Sequence, residues 1–262
     1  MDEAVGTHLD MDRPSSARIY DHLLGGSHNF AVDREAAAAL LRGFPNAAAG
    51  ARANRSFLRR TVRFLVAEGV DQFLDLGSGI PTVGCVHEIA QRACPGARVV
   101  YVDSDPIAVA HSRSILAANP DAAVLAADLR GPGEVLADPV VRGLLDFGRP
   151  VAVLLVAVLH FIGGDLTEIV SGYRSAVPPG SFLVISHGSQ EGVPAEELAA
   201  LRRVYENTSN PAVPRTRAQI TDLFAGFDLV DPGVVQVADW RPDSGPGEPA
   251  CVWGFGGVGR KP

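Results

Sequence analysis

Between residues 72 and 186 short apolar runs alternate with stretches whose apolar residues recur every three to four positions. The runs read as strands at 72–76, 98–103, 123–127, 151–158 and 181–186. The intervening stretches, Val83 to Cys94, Pro106 to Asn119, Glu134 to Phe147 and Leu166 to Val177, read as helices. Strand and helix in regular alternation predict βα units and a parallel sheet. The run from Val151 to Leu159 is apolar throughout, as a strand covered on both faces must be, and it is far short of the roughly 20 residues that span a bilayer. Pro106 suits a first helical turn, where its missing N–H is no loss. Pro178, Pro179 and Gly180 stop the fourth helix before the fifth strand.

The pattern changes on both sides of this block. Past residue 190, EELAALRRVYEN and RAQITDLFAGF are helical, and two strands at about 227–238 and 250–255 flank the turn-rich RPDSGPGEP. That ending predicts an antiparallel, hairpin-like pair. Before residue 72 only helical segments appear, around 15–24, 33–42 and 51–68, joined by glycine-bearing loops. Residues 1–68 are therefore expected as a helical N-terminal cap or lid, and residues 69–262 as the sheet domain it leans on, the two forming one structural unit.

Composition narrows the function classes. The chain has 262 residues, 47% hydrophobic and 20% charged, which fits a folded globular protein. A formal net charge of −7 supplies no broad basic face for nucleic acid. Cys85, Cys94 and Cys251 show no CxxC spacing, so neither a disulfide framework nor a metal site is expected. The acidic, polar start MDEAVGTHLDMDRP lacks the features of a signal peptide, and a cytoplasmic location without membrane contact is expected.

The chemistry concentrates in FLDLGSGIPT at residues 73–82, where a strand ends in a bare-backbone glycine turn. Glycine there lets a ligand approach the main chain. A nicotinamide dinucleotide wants a third glycine for its GxGxxG turn, and Thr82 stands in that place. Asp75, two residues before Gly77, would repel pyrophosphate and attract an ammonium or sulfonium. Asp103, with Ser104 beside it, ends the next strand 28 positions later and would hold ribose hydroxyls. Asp128 ends the third, placed to accept from an adenine amino group. Three acids at three successive strand ends favour an adenosyl ligand that carries positive charge.

With these motifs in place, the sequence resembles the class I S-adenosylmethionine-dependent methyltransferases. More narrowly it resembles the actinobacterial S-adenosyl methyltransferase family first catalogued as a domain of unknown function. The resemblance rests on SSARIYDHLLGGSHNFAVDREAA, NRSFLRRTVRFL, GVDQFLDLGSGIPT followed by VHEIAQ, VVYVDSDPIAVAHSR and WGFGGVGRKP. It implies a Rossmann-like α/β fold with a seven-stranded, mostly parallel sheet, an antiparallel last strand and a helical cap over S-adenosylmethionine. Asp75, Gly77, Ser78 and Gly79 match the family's first motif, Asp103 its ribose acid, and Asp128 with Leu129 its adenine contact. Cys85 departs from the pattern, standing where a polar residue, often asparagine, is expected.

Methyl transfer from a sulfonium mainly needs donor and acceptor aligned and water excluded. A general base helps where the acceptor must lose a proton, and His160 and His187, at the ends of the fourth and fifth strands, are the candidates. YDHLLGGSHNF offers Tyr20 and Asn29 as cofactor contacts around Gly25 and Gly26. Arg52, Arg55, Arg59 and Arg63 recur at helical spacing, beside Arg60, and would favour an anionic acceptor if one end of the stripe faced the cleft. The expected activity is O- or N-methylation of a small molecule. A non-catalytic sensor of S-adenosylmethionine is the alternative.

Overall fold

The computed structural model describes residues 12–81, 84–206, 208, 210–243 and 254–262. Three helices open the chain, α1 (Ser16–Leu23), α2 (Ala31–Gly43) and α3 (Ala47–Ala67). The alternating block follows as β1 (Gln72–Leu76), α4 (Val86–Ala93), β2 (Arg98–Asp103), α5 (Pro106–Leu116) and β3 (Ala122–Ala126). It continues through α6 (Pro132–Ala137), α7 (Pro139–Leu144), β4 (Ala152–Val156), α8 (Thr167–Ala176) and β5 (Phe182–Gly188). Helices α9 (Ala195–Glu206) and α10 (Arg217–Asp222) lead to β6 (Asp228–Leu229), β7 (Val235–Gln236) and β8 (Gly254–Arg260). Among the described residues no helix is long and apolar enough to cross a membrane.

The sheet order is β3-β2-β1-β4-β5-β8-β6, with β7 also on β8. Strands β1 to β5 are parallel, and β8 runs antiparallel to β5. The expected seven strands become eight segments because Pro232 and Gly233 interrupt the outer strand expected at 227–238: proline offers no ladder N–H, and Gly233 takes φ +82°. Its two pieces, β6 and β7, both pair antiparallel with β8. The expected helix 134–147 is likewise split into α6 and α7. Pro139 disfavours helical backbone at Asp138, whose carboxylate instead caps α7 by accepting from Val140 N at 2.8 Å.

The last strand was expected at 250–255. It runs from Gly254 to Arg260, and residues 250–253 lie outside the described residues. Its GFGGVGR sequence has little strand propensity, and packing supplies the reason. A Cβ on Gly256 would lie 2.9 Å from the Phe57 ring, and one on Gly259 2.8 Å from Phe227. Neighbouring side chains thus rest on bare backbone.

Strand alternation sorts the core onto two faces. Leu74, Val100, Val153, Leu183 and their same-face neighbours pack with α6, α7, α8 and α10. Phe73, Val99, Leu154 and Val184 pack with Phe57, Val62 and Leu65 of α3. A third cluster joins Ile19, Leu23, Ala37, Leu40, Phe44, Ala47 and Ala51 to Tyr205 of α9, so the cap's core is completed from beyond the sheet.

Buried charge pins the cap. Arg18 in α1 donates from Nε to Asp33 Oδ2 of α2 at 2.7 Å, and both residues are sealed from solvent. Asp33 also accepts from Ser15 N at 3.0 Å and Phe30 N at 2.9 Å. Ser15 Oγ bonds Asp105 Oδ2 at 2.6 Å, and Asp105 caps α5 through Ile107 N at 2.8 Å. This chain couples the cap to the end of β2. Removing one partner of a buried pair strands the other charge, at a cost of about 3–5 kcal/mol. Asp33→Ala is therefore expected to lower unfolding free energy by about that amount in urea titration, well beyond the cost of an exposed Asp→Ala change.

Candidate functional site

A cavity of about 430 Å³ lies at the carboxyl ends of β1, β2 and β4, beneath the cap. Parallel sheets bind ligands at this edge, outside the switch in strand order between β1 and β4. The glycine turn after β1 forms its floor. Gly77 and Gly79 have φ of +70° and +61°, a region that disfavours other residues. A Cβ on Gly77 would sit 2.1 Å from Val158. The turn is fastened to β2, with Gly77 N donating to Val102 O at 2.8 Å and Gly79 N to Asp103 Oδ2 at 2.7 Å. Thr82 lies outside the described residues.

The three strand-end acids all line the cavity, but in different states. Asp103 accepts at Oδ1 from Asp105 N at 2.8 Å, so both its oxygens already hold one backbone N–H. Burial raises its pKa against those donors. Each oxygen keeps a further lone pair for a hydroxyl. Asp128 is half-buried and clasped by Arg130, whose hydrogen bonds hold its carboxyl below the usual range. Leu129 is buried beside it and fixed through its carbonyl, which accepts from Tyr173 Oη at 2.7 Å. Ser78 and the exposed Ser104 complete this side.

Asp75 differs from both. It is buried at the end of β1 and accepts no hydrogen bond among the described residues. Burial pushes its pKa up to about 7, with Arg55 opposing the rise and Asp103 adding to it.

Tyr20 reaches the cavity, where a directed hydrogen-bond chain places it. Ala157 N donates to Ser186 Oγ at 3.0 Å and Ser186 Oγ to Asn54 Oδ1 at 2.6 Å. Asn54 Nδ2 then donates to Tyr20 Oη at 2.9 Å, and Tyr20 Oη to Ala51 O at 3.1 Å. Ala157 is a non-glycine residue at φ 58°, which the surrounding structure must hold. Sequence reasoning missed Asn54 and Ser186; nothing in a helix interior or a strand marks such relays. Asn29 does not line the cavity. Its Nδ2 donates to Asp21 Oδ2 and Gly26 O, each at 2.9 Å, closing the Gly25–Gly26 loop around Asp21.

Of the two candidate histidines, His160 lines the cavity and His187 does not. His187 is fully buried. Arginine can only donate, so Arg215 Nη1, 3.0 Å away, makes His187 Nε2 an acceptor and leaves the proton on Nδ1 for Gly188 O at 2.7 Å. Burial lowers its pKa to about 4. Arg215 also donates to Leu159 O, Ile162 O and Gly164 O at 2.9–3.1 Å, bracing the loop that carries His160. His160 Nδ1 accepts from Gly188 N at 3.2 Å. Burial, then His187 and Arg215, keep its pKa well below the ordinary value.

The arginine stripe has no common role. Arg59 and Arg63 meet Asp243 at the surface, Arg52 is exposed, and buried Arg60 donates to Trp240 O and Val237 O. Arg55 alone of these five lines the cavity. Cys85 lies outside it, its thiol pushed up to about 12 by burial. Cys85, His87 and Glu88 bring three metal-capable atoms within 4.8 Å. All three are already engaged, Cys85 Sγ with His87 Nδ1 at 3.3 Å, His87 with Tyr101 Oη at 2.8 Å and Glu88 with Gly84 N at 3.0 Å.

Over residues 2–262 the sequence matches the S-adenosyl methyltransferase family. The chain belongs to that family. It is 42% identical to a presumed methyltransferase from Thermobifida fusca YX whose crystal structure superposes with a TM-score of 0.91, covering 99% of both chains. A DUF574 family protein from Streptomyces avermitilis is 39% identical with a TM-score of 0.90, covering 97% of this chain and 100% of that one. Mitomycin 7-O-methyltransferase, at 16% identity and a TM-score of 0.50 over 79% of this chain and 53% of that one, shares the fold alone. No protein of curated function matches the sequence. The methyltransferase fold and the S-adenosylmethionine cofactor expected from the sequence stand.

The cavity fits that cofactor. An unbonded carboxylate at Asp75 suits a cationic ligand, and the bare turn at Gly77 and Gly79 admits it to the main chain. The buried carboxyl also sets a pH dependence. Its folded pKa of about 7 lies above the ordinary value of 3.8, so the ligand-free methyltransferase is favoured while Asp75 is protonated and loses stability as pH rises through 7. Asp75→Asn removes this loss. In thermal melts without ligand, the variant is expected to be the more stable, with an advantage that grows from pH 4 to 7 and levels off at no more than about 4 kcal/mol.

Proposed function

We propose that this methyltransferase acts on an oxygen or nitrogen of a small, mostly apolar molecule. The observation that carries the reading is the composition of the far cavity wall. Beyond the strand-end acids it is lined by Leu40, Phe44, Phe161, Leu198, Leu201 and Tyr205, contributed by α2, the loop after β4 and α9. Such a wall gains by burying apolar surface and leaves a few polar groups to set orientation.

Asp75, the turn at Gly77–Gly79, Asp103 and Asp128 with Leu129 would hold the cofactor. When bound, S-adenosylmethionine supplies an electrophilic methyl group on a sulfonium. Desolvation by the cap and apolar wall keeps water away from that group. His160 and Tyr20 are among the polar groups that line the cavity with this wall. Gly188 N donates to Nδ1 of His160, so a neutral ring carries its proton on Nε2 and serves as a donor. His160 therefore orients the acceptor and takes no proton. An acceptor arriving as a neutral amine or a phenolate needs no base.

Labelled donor supplied with a cell extract should mark the low-molecular-weight fraction. Label confined to protein or nucleic acid would refute the proposal, and donor binding without transfer would point to sensing. His160→Ala is expected to lower turnover about tenfold, the scale of one lost hydrogen bond, with donor affinity kept. A loss of about 10²–10⁴-fold would instead make His160 a general base. Asp103→Ala is expected to weaken donor binding by about 10–100-fold in calorimetry, the scale of a lost charged hydrogen bond.

A further inference from the structure

Four arginines line the cavity among the described residues: Arg13, Arg18, Arg55 and Arg130. Three are committed. Arg13 donates to Thr208 O at 2.6 Å, Arg18 to Asp33, and Arg130 to Asp128. Arg55 makes no hydrogen bond among the described residues, and its Nε is buried without a partner. Its guanidinium lies over the Tyr20 ring, 5.7 Å from the centroid, so the ring covers one face and leaves the donor edge.

The Arg55 charge acts on Asp75, which lines the same cavity and whose carboxyl likewise accepts no hydrogen bond among the described residues. They form no salt bridge. Two opposite charges, both partly desolvated and held apart in one cavity, are costly unless a ligand bridges them. A molecule that presents an ammonium to one and a carboxylate to the other satisfies both. An α-amino acid group has that form, and the amino-acid end of S-adenosylmethionine carries it.

We propose that Arg55 binds the α-carboxylate of S-adenosylmethionine while Asp75 takes its α-ammonium. The inference rests on the cofactor assignment and adds a residue to it. A guanidinium can grip a carboxylate with two parallel N–H donors, which lysine at the same place cannot do. The same fork could serve a carboxylate on the acceptor, and the choice of ligands below separates the two sources.

Calorimetry would compare wild type, Arg55→Gln and Arg55→Lys with S-adenosylhomocysteine and with decarboxylated S-adenosylmethionine, which keeps the ammonium and lacks the carboxylate. Arg55→Gln is expected to weaken S-adenosylhomocysteine by about 10–100-fold, the scale of a charged hydrogen bond, and to change decarboxylated S-adenosylmethionine by no more than about twofold. Arg55→Lys should fall between wild type and Arg55→Gln. Undiminished binding of S-adenosylhomocysteine by Arg55→Gln would overturn the proposal and leave the anion to the acceptor. Equal losses for both ligands, with far-ultraviolet circular dichroism unchanged, would overturn it by showing that Arg55 acts only through the shape of the cavity. A wild type that bound neither ligand would overturn the cofactor assignment and the proposal together.

Discussion

A guanidinium taken out of water must be surrounded by carboxylate and carbonyl oxygens, and this requirement at Arg18 decides where the cap can sit. Asp33 answers it from α2, Arg13 O from the preceding chain, and Asp105 from the start of α5 at 3.9 Å. Asp105 follows β2 directly. The cap is thereby referenced to the strand end that carries Asp103, and the cavity has a fixed roof where the sheet alone would present an open edge. The hydrogen-bond chain from Ala157 through Ser186 and Asn54 to Tyr20 makes a second reference, to β4 and β5.

Roofing the site divides the acids into two kinds. Asp103 and Asp128 arrive with protein donors in place, so they can accept further hydrogen bonds without being stranded as charges. Asp75 arrives with none, and burial resists its ionisation with no protein donor in opposition. A site that holds one such carboxyl near neutrality stores a preference for cations in the folded protein. The instability is local and lies in the cavity wall, and departures from an optimal fold concentrate at functional sites.

Much of this was legible in the sequence. The apolar runs of β1, β2, β4 and β5 and the glycine turn after β1 announce themselves, because a doubly covered strand and a close backbone approach leave few residue choices. The rest needed three dimensions. The bounds of β8 are hidden because glycine is chosen there for what rests on the chain, and that cannot be read from the chain itself. Four arginines of α3 share one spacing with Arg60 beside them, yet helix rotation and neighbouring segments send Arg60 inward, Arg59 and Arg63 to Asp243, and Arg55 to the cavity. His160 and His187 are equivalent as strand-end histidines. Arg215, far away in sequence, separates their roles by occupying one of them.

Helix α3 belongs to two cores at once. Ala47 and Ala51 pack in the cap, whereas Ala53, Phe57, Leu58, Val62 and Leu65 pack on the sheet. The boundary expected at residue 68 is therefore the end of a shared beam and separates no independent pieces. This limits how such proteins can exchange parts by recombination. A crossover placed after α3 would import an apolar face matched to someone else's sheet. One placed before α3 would leave Ala47 and Ala51 facing foreign helices. The cavity wall is then more readily altered at single residues of α2 and α9 than by trading the cap as a cassette.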